Sequence, residues 1–210
     1  MSDFQRKAQN IWYHYKFHIL VGLFLLVTIL ICLYSCATKP QFDIQVYYVS
    51  GSSRIYNEQL DWLEAAVAKH CGDTNGDGEI TVAVTGLKVG KNTDPSMRAQ
   101  YMNAVHAGEV MLLFGDAEGI SYLYQNGFLQ PLTDFSDELD GDGYAWVVSD
   151  SAFSQQTEGF ELFDGSNVYV SLRIFEETWA SALGSAKDNY KIACDTLCSM
   201  IALDASEGEE

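Results

Sequence analysis

The stretch "DTNGDGEITVAV", Asp73 to Val84, sets oxygen donors at the spacing of a calcium-binding loop. Such loops present side-chain oxygens at positions 1, 3 and 5 and turn sharply at a Gly in position 6. They add a main-chain carbonyl at 7 and a further donor at 9, and close with a bidentate carboxylate at 12. Asp73, Asn75, Asp77, Gly78, Glu79 through its carbonyl, and Thr81 fill the first six of these places in order. Val84 stands at the twelfth and has no side-chain oxygen, which removes two of about seven ligands. A strand pattern follows where a helix would complete a helix-loop-helix hand. Two readings therefore stand side by side. One is a weak structural calcium site, populated where calcium is near millimolar and completed by a carboxylate from another segment. The other is a tight solvated turn, because Asp, Asn and Gly also tolerate left-handed backbone.

A second candidate lies at the end of the apolar run "EVMLLFGD". Gly115 and Asp116 close a strand, and open α/β sheets hold ligands outside the carboxyl ends of their strands. These two residues are the expected ligand-binding pair, with helix N-capping as the competing role of Asp116. Asp137, Asp140 and Asp142 in "DELDGDGYAW" lack the ordered calcium template and read as an exposed acidic turn. Arg173, inside the apolar "VYVSLRIF", is expected to pair with an internal carboxylate or to face a ligand. Cys194 and Cys198 are four apart on a helical pattern, share a face and read as small core residues. With Cys71 they make three cysteines beyond the N-terminal apolar segment, an odd number that argues against a disulfide framework. His70 and His106 fall at helix ends, where capping suffices. The chain shows no Ser-His-Asp order, Gly-x-Ser-x-Gly elbow, Walker loop or paired zinc ligands, so it is not expected to be an enzyme.

The elements that must position these residues begin with a membrane segment. From Ile19 to Ala37 the chain runs 19 residues without a charge, within the roughly 17–25 that cross a bilayer as a helix. Trp12, Tyr13, Tyr15 and Phe17 with Lys16 form an interfacial flank, and Arg6 and Lys7 place the N-terminus in the cytoplasm. The division expected is a cytoplasmic N-terminus (1–17), a transmembrane anchor (18–37), an extracytoplasmic domain (40–204) and a disordered acidic tail (205–210). Leu33 and Ser35 before Cys36 offer an alternative, a lipoprotein signal that leaves Cys36 lipid-modified. The apolar run exceeds the roughly 7–15 residues of a signal core, which favours an uncleaved anchor. Beyond Lys39 the chain holds 8 basic and 28 acidic residues. That surface repels phosphate backbones, so no nucleic acid is expected as a partner.

The rest of the pattern alternates. "FDIQVYYVS" is a strand with Ile44, Val46 and Tyr48 on one face, and "NEQLDWLEAAVAKH" a helix with Asn57 as its N-cap. "EITVAVTGLKV" is the second strand. "DPSMRAQYMNAVHAG" is a helix capped by Asp94, with Pro95 in its first turn and Gly108 as its stop. "EVMLLFG" is apolar throughout, as a central strand covered on both faces should be. A helix with Ile120, Leu123 and Tyr124 follows and ends at Asn126–Gly127. This order predicts an α/β domain with an open, mostly parallel sheet and flanking helices, preceded by one transmembrane helix. Further on, "FELFDGSNVYVSLRIF" reads as a hairpin or crossing strand turning at Asp164–Gly165, and a last helix covers about 187–203.

The segment "EVMLLFGDAEGISYLYQNGFLQPLTD" resembles the part of ABC-transporter extracellular solute-binding proteins where a strand ends in a small-acidic pair and the chain runs on to "G-x-L-x-P-L". The N-terminal "IWYHYKFHILVGLF" with the acidic Gly-rich loop is similar to a group of single-pass membrane proteins from Gram-positive gut-type bacteria. The first resemblance implies a single periplasmic-binding-protein-like lobe, with Asp116 and Gly115 at the ligand side. Those proteins close two lobes on a ligand, and the roughly 165 residues beyond the anchor hold one. The expected function is a membrane-anchored solute-binding-like module, accessory to a transporter or envelope protein. The alternative is a cell-surface structural or interaction protein without a small-molecule ligand. A concave polar pocket at the strand ends near Gly51, Gly86 and Gly115 would mark the first, and filled strand ends the second.

Overall fold

The computed structural model describes residues 3–37, 42–51, 54–135, 143–149, 151–155, 159–163, 167–175 and 185–207. The chain divides into two compact units, residues 1–41 and 42–210. The first is helix α1, Asp3–Ala37. Within it Tyr15–Tyr34, 20 residues, is long and apolar enough to cross a membrane. The hydroxyl of Thr28 donates to the Phe24 carbonyl at 2.9 Å, which satisfies it inside its own helix, as an apolar medium requires. The flank ahead of the apolar run is helical too, from Asp3 onward.

The second unit is an α/β domain. Its elements are β1 (Ile44–Ser50), α2 (Asn57–Ala68), β2 (Val82–Lys88), α3 (Pro95–Ala107), β3 (Leu112–Asp116), α4 (Ala117–Gln125), β4 (Trp146–Val147), α5 (Ala152–Gln155), a 3₁₀ turn (Phe160–Phe163), β5 (Val168–Leu172) and α6 (Ser185–Glu207). The five-stranded sheet runs β2-β1-β3-β5-β4. β1 pairs in parallel with β2, Ile44 opposite Val82, and with β3, Val46 opposite Leu112. β5 enters antiparallel between β3 and β4, Leu112 opposite Leu172. The sheet is thus mixed around a parallel core, where the sequence suggested a mostly parallel one.

Alternation along the strands divides the interior into two cores. Ile44, Val46 and Tyr48 of β1 pack with Leu63 and Val67 of α2 and with Leu197 and Met200 of α6. Val49 of β1 and Leu113 of β3 pack on the opposite face with Val105 of α3 and Leu123 of α4. All five residues of β3 are buried, which agrees with its reading as the central strand. The chain leaves β1 for β2 across one face and returns over the other to β3. This places the reversal of strand order, the position where open α/β sheets bind ligands, between β1 and β3.

Differences from the sequence reading have local causes. The first arm of the expected hairpin is a 3₁₀ turn. Phe160 and Phe163 are three apart, a spacing that puts both on one side of such a turn rather than on one face of a strand. Both rings lie edge-on to Trp62, at centroid distances of 5.3 and 5.4 Å. The turn at Asp164–Gly165 lies outside the described residues. Tyr56 rather than Asn57 is the N-cap of α2, and its amide is held by Gln59 Oε1 at 3.0 Å. β4 carries no strand signal, being two residues long. α6 continues to Glu207, into the segment expected as an acidic tail.

Candidate functional site

The ends of β1 and β3 meet at the switch point. Asp116, the last residue of β3, is only 4% exposed. Its Oδ2 accepts from the Ser50 hydroxyl at 2.7 Å, while Oδ1 accepts from the Gly51 amide at 2.9 Å and from the Gly119 amide at 2.7 Å. The carboxylate therefore clasps β1 to β3 and caps α4, where its charge also complements the helix dipole. A side chain at Gly115 or Gly119 would collide with the Val49 carbonyl, so these glycines let α4 descend onto the end of β1. Beneath them Tyr48 is buried. Burial first, and then the nearby negative charge of Asp116, push its phenol above the usual range. The crevice expected to hold a ligand on Asp116 and Gly115 is thus filled by the protein's own donors. Within β2 the face at Gly86 is covered as well, by Ile55 at 3.0 Å and Leu60 at 3.6 Å from where a side chain would start.

Beside the filled crevice lies an open cleft of about 520 Å³ with Gly51 and Val89 among its lining residues. Lys91 from the β2–α3 loop and Arg98 from α3 contribute to it, and α4 supplies Glu118, Ser121, Tyr122 and Gln125. A side chain at Gly90 would strike the Gly51 carbonyl, and one at Gly51 would strike Glu118. Both glycines thus permit the two loops to close up against α4. Only Val105 of α3 is fully buried, so this helix is seated at its C-terminal end and its N-terminal half borders the cleft. Asp94 fixes that N-terminus by accepting from the Ser96 amide at 2.8 Å, with Pro95 in the first turn. Among the described residues, no carboxylate of the domain is paired with Lys91 or Arg98, and no cation with Glu118. Gln125 Nε2 donates to Ser121 Oγ at 3.1 Å.

The 73–81 loop is shaped by its own side chains. Asp73 accepts from the amides of Gly76 at 2.6 Å and Gly78 at 2.9 Å, Asn75 from Asp77 at 2.8 Å, and Asp77 from Glu79 at 2.9 Å. Gly76 and Gly78 take positive φ, 75° and 88°. The loop is anchored from outside by Asp43, a buried carboxylate at the entry to β1. Asp43 accepts from the amides of Thr74 and Thr81 at 2.7 Å each and of Asn75 at 3.1 Å. Burial pushes the Asp43 carboxyl up, but the amides of Thr81, Thr74 and Asn75 and the Thr74 hydroxyl outweigh it and hold it down at about 2. The Thr81 hydroxyl lies 3.2 Å from Asp43 and donates to it. Among the described residues, no three His, Cys, Asp or Glu side chains converge as metal ligands. The hydrogen bonds alone account for the loop's shape.

Arg173 is 5% exposed. Its guanidinium donates to the carbonyls of Val105 at 2.7 Å and His106 at 3.1 Å, the last carbonyls of α3, where a cation meets the negative end of the helix dipole. Arg173 thereby caps the C-terminal end of α3. Cys198 is exposed and only Cys194 is partly covered, so the two do not share the core as expected. Asp137, Asp140 and Asp142 lie outside the described residues. Sequence reasoning missed Asp43, Lys91 and Arg98. For the last two a signal existed: "KVGKNTDPSMR" carries Lys88, Lys91 and Arg98, three of the eight cations beyond residue 39.

These features define a class: an α/β domain with a mixed five-stranded sheet covered on both faces, carried behind an apolar N-terminal helix. No known family model matches the chain, and no characterised protein or solved structure is detectably similar to it.

Proposed function

We propose that the chain is a membrane-anchored, extracytoplasmic binding module related to one lobe of solute-binding proteins, serving a transporter or envelope complex. The observation that carries this reading is the open cleft of about 520 Å³ beside the sheet's switch point, within the roughly 300–1,000 Å³ of small-molecule sites. The Lys/Arg bias of the N-terminal flank supports a cytoplasmic N-terminus and an outer-face domain. Thermal melting of the full chain in nonionic detergent, screened against sugars, amino acids, dicarboxylates and oligopeptides at millimolar concentration, tests the reading. We expect one class to raise the melting temperature, and the shift to disappear in an Arg98→Ala/Tyr122→Ala double variant. A flat screen would remove the small-ligand reading.

The filled crevice at Asp116 favours the second reading, a surface interaction protein without a small ligand, and a flat screen would leave that reading in place. Calcium on Asp73, Asn75, Asp77, the Glu79 carbonyl and Thr81 belongs to the proposal as a weak structural ion, since the oxygens that accept loop amides each keep a lone pair. For that ion, melting in millimolar calcium should exceed melting in chelator, and Asp77→Ala should abolish the difference. Identical curves would remove calcium.

A further inference from the structure

We infer that the cleft takes a small zwitterion, a solute bearing one carboxylate and one ammonium group, with the carboxylate toward Lys91 and Arg98 and the ammonium toward Glu118. The inference rests on the reading of this domain as a binding module and names the solute class. The cleft's charges are segregated by element. The β2–α3 segment brings the cations Lys91 and Arg98, and α4 brings the anion Glu118, with Ser121, Tyr122 and Gln125 as neutral hydrogen-bonding groups on the same helix.

Among the described residues none of the three charges is paired within the domain, so each is available to a ligand. A solute of one sign would satisfy one wall and confront the other with a like or an unmatched charge. A zwitterion matches both. It also carries no net charge into a domain with 28 acidic and 8 basic residues, whose field would repel a simple anion at long range and spread a simple cation over many sites. The two cations held against that field are the local feature a carboxylate would recognise, the guanidinium of Arg98 in a two-pronged geometry.

Isothermal titration of the full chain in nonionic detergent tests the assignment with L-alanine, L-glutamine, L-phenylalanine and the dipeptide Ala-Ala. Propionate, ethylamine and glucose serve as the singly charged and neutral controls. At least one zwitterion should bind at least tenfold more tightly than propionate or ethylamine. Arg98→Ala and Glu118→Gln should each weaken that binding by about tenfold or more, while the melting temperature of the unliganded variants stays that of the wild type. Propionate or ethylamine binding as tightly as the zwitterions overturns the assignment. Glucose as the sole ligand, lost in Tyr122→Ala, also overturns it but leaves the binding-module reading standing. Binding by none of the seven probes, or binding indifferent to all three substitutions, overturns the assignment; the binding-module reading falls only if the broader melting screen is flat as well.

Discussion

At the scale of the residue, two buried carboxylates do structural work that is separable by experiment. Asp43 holds the 73–81 loop through amides 31 to 38 residues away. Its carboxyl is held at about 2 against an ordinary 3.8. Because the folded value is depressed, its contribution is complete above pH 3.8 and is lost as pH falls toward 2. Acid titration of thermal stability should therefore show a loss in that window that Asp43→Asn removes. At neutral pH Asp43→Ala should cost on the order of 2 kcal/mol, because three partly buried amides lose a charged acceptor. Asp116→Ala should cost about 2–3 kcal/mol for the same reason. A ligand carboxylate would behave differently, losing affinity with stability unchanged, so chemical denaturation of this one variant separates the two roles. The role of Asp43 was not legible beforehand. The strand "FDIQVYY" shows Asp43 as one polar position among alternating ones, and nothing local reveals partners brought in by parallel pairing with β2. Asp116 was legible as a strand-terminal acid, and its N-cap role was one of the two readings the sequence allowed.

At the scale of the element, α3 is the piece whose seating is least redundant. Its C-terminal carbonyls are held by Arg173, and Gly108 turns the chain at φ 74° with Arg173 Nη1 3.0 Å from where a side chain would begin. Arg173→Met should raise amide hydrogen exchange across 95–107 well above that of β3, and lower stability by about 2–3 kcal/mol through unsatisfied carbonyls. Gly108→Ala should act in the same direction by about 1 kcal/mol. If α3 exchanges as slowly in Arg173→Met as in wild type, Arg173 is not its clamp. The helix itself was readable from Asp94, Pro95 and Gly108, because capping chemistry is local. The clamp was not, since β5 reaches α3 only after the chain has crossed the sheet. The same holds for β5: its composition gave a strand, but its antiparallel place between β3 and β4 rests on pairing with β3, more than 50 residues earlier in the chain, which no window of sequence contains.

At the scale of the whole molecule, the apolar helix and the alternation of strands and helices were plain in the sequence, because length, charge and periodicity report them directly. The cleft was not, because it forms where a loop, α3 and α4 come together, and its cations looked like ordinary surface residues. The proposed membrane attachment makes a cellular prediction: the full chain should resist alkaline extraction, and protease added to intact cells should remove epitopes beyond residue 42 and spare one at the N-terminus. Extraction with the soluble fraction, or the reverse protection, would contradict the topology. The most direct test of the central claim is hydrogen exchange on the detergent-solubilised chain, with and without the solute that most raises its melting temperature. Protection confined to 89–98 and 117–125 is the result predicted for a ligand seated between the β2–α3 segment and α4. Protection elsewhere with those two segments unchanged would contradict it.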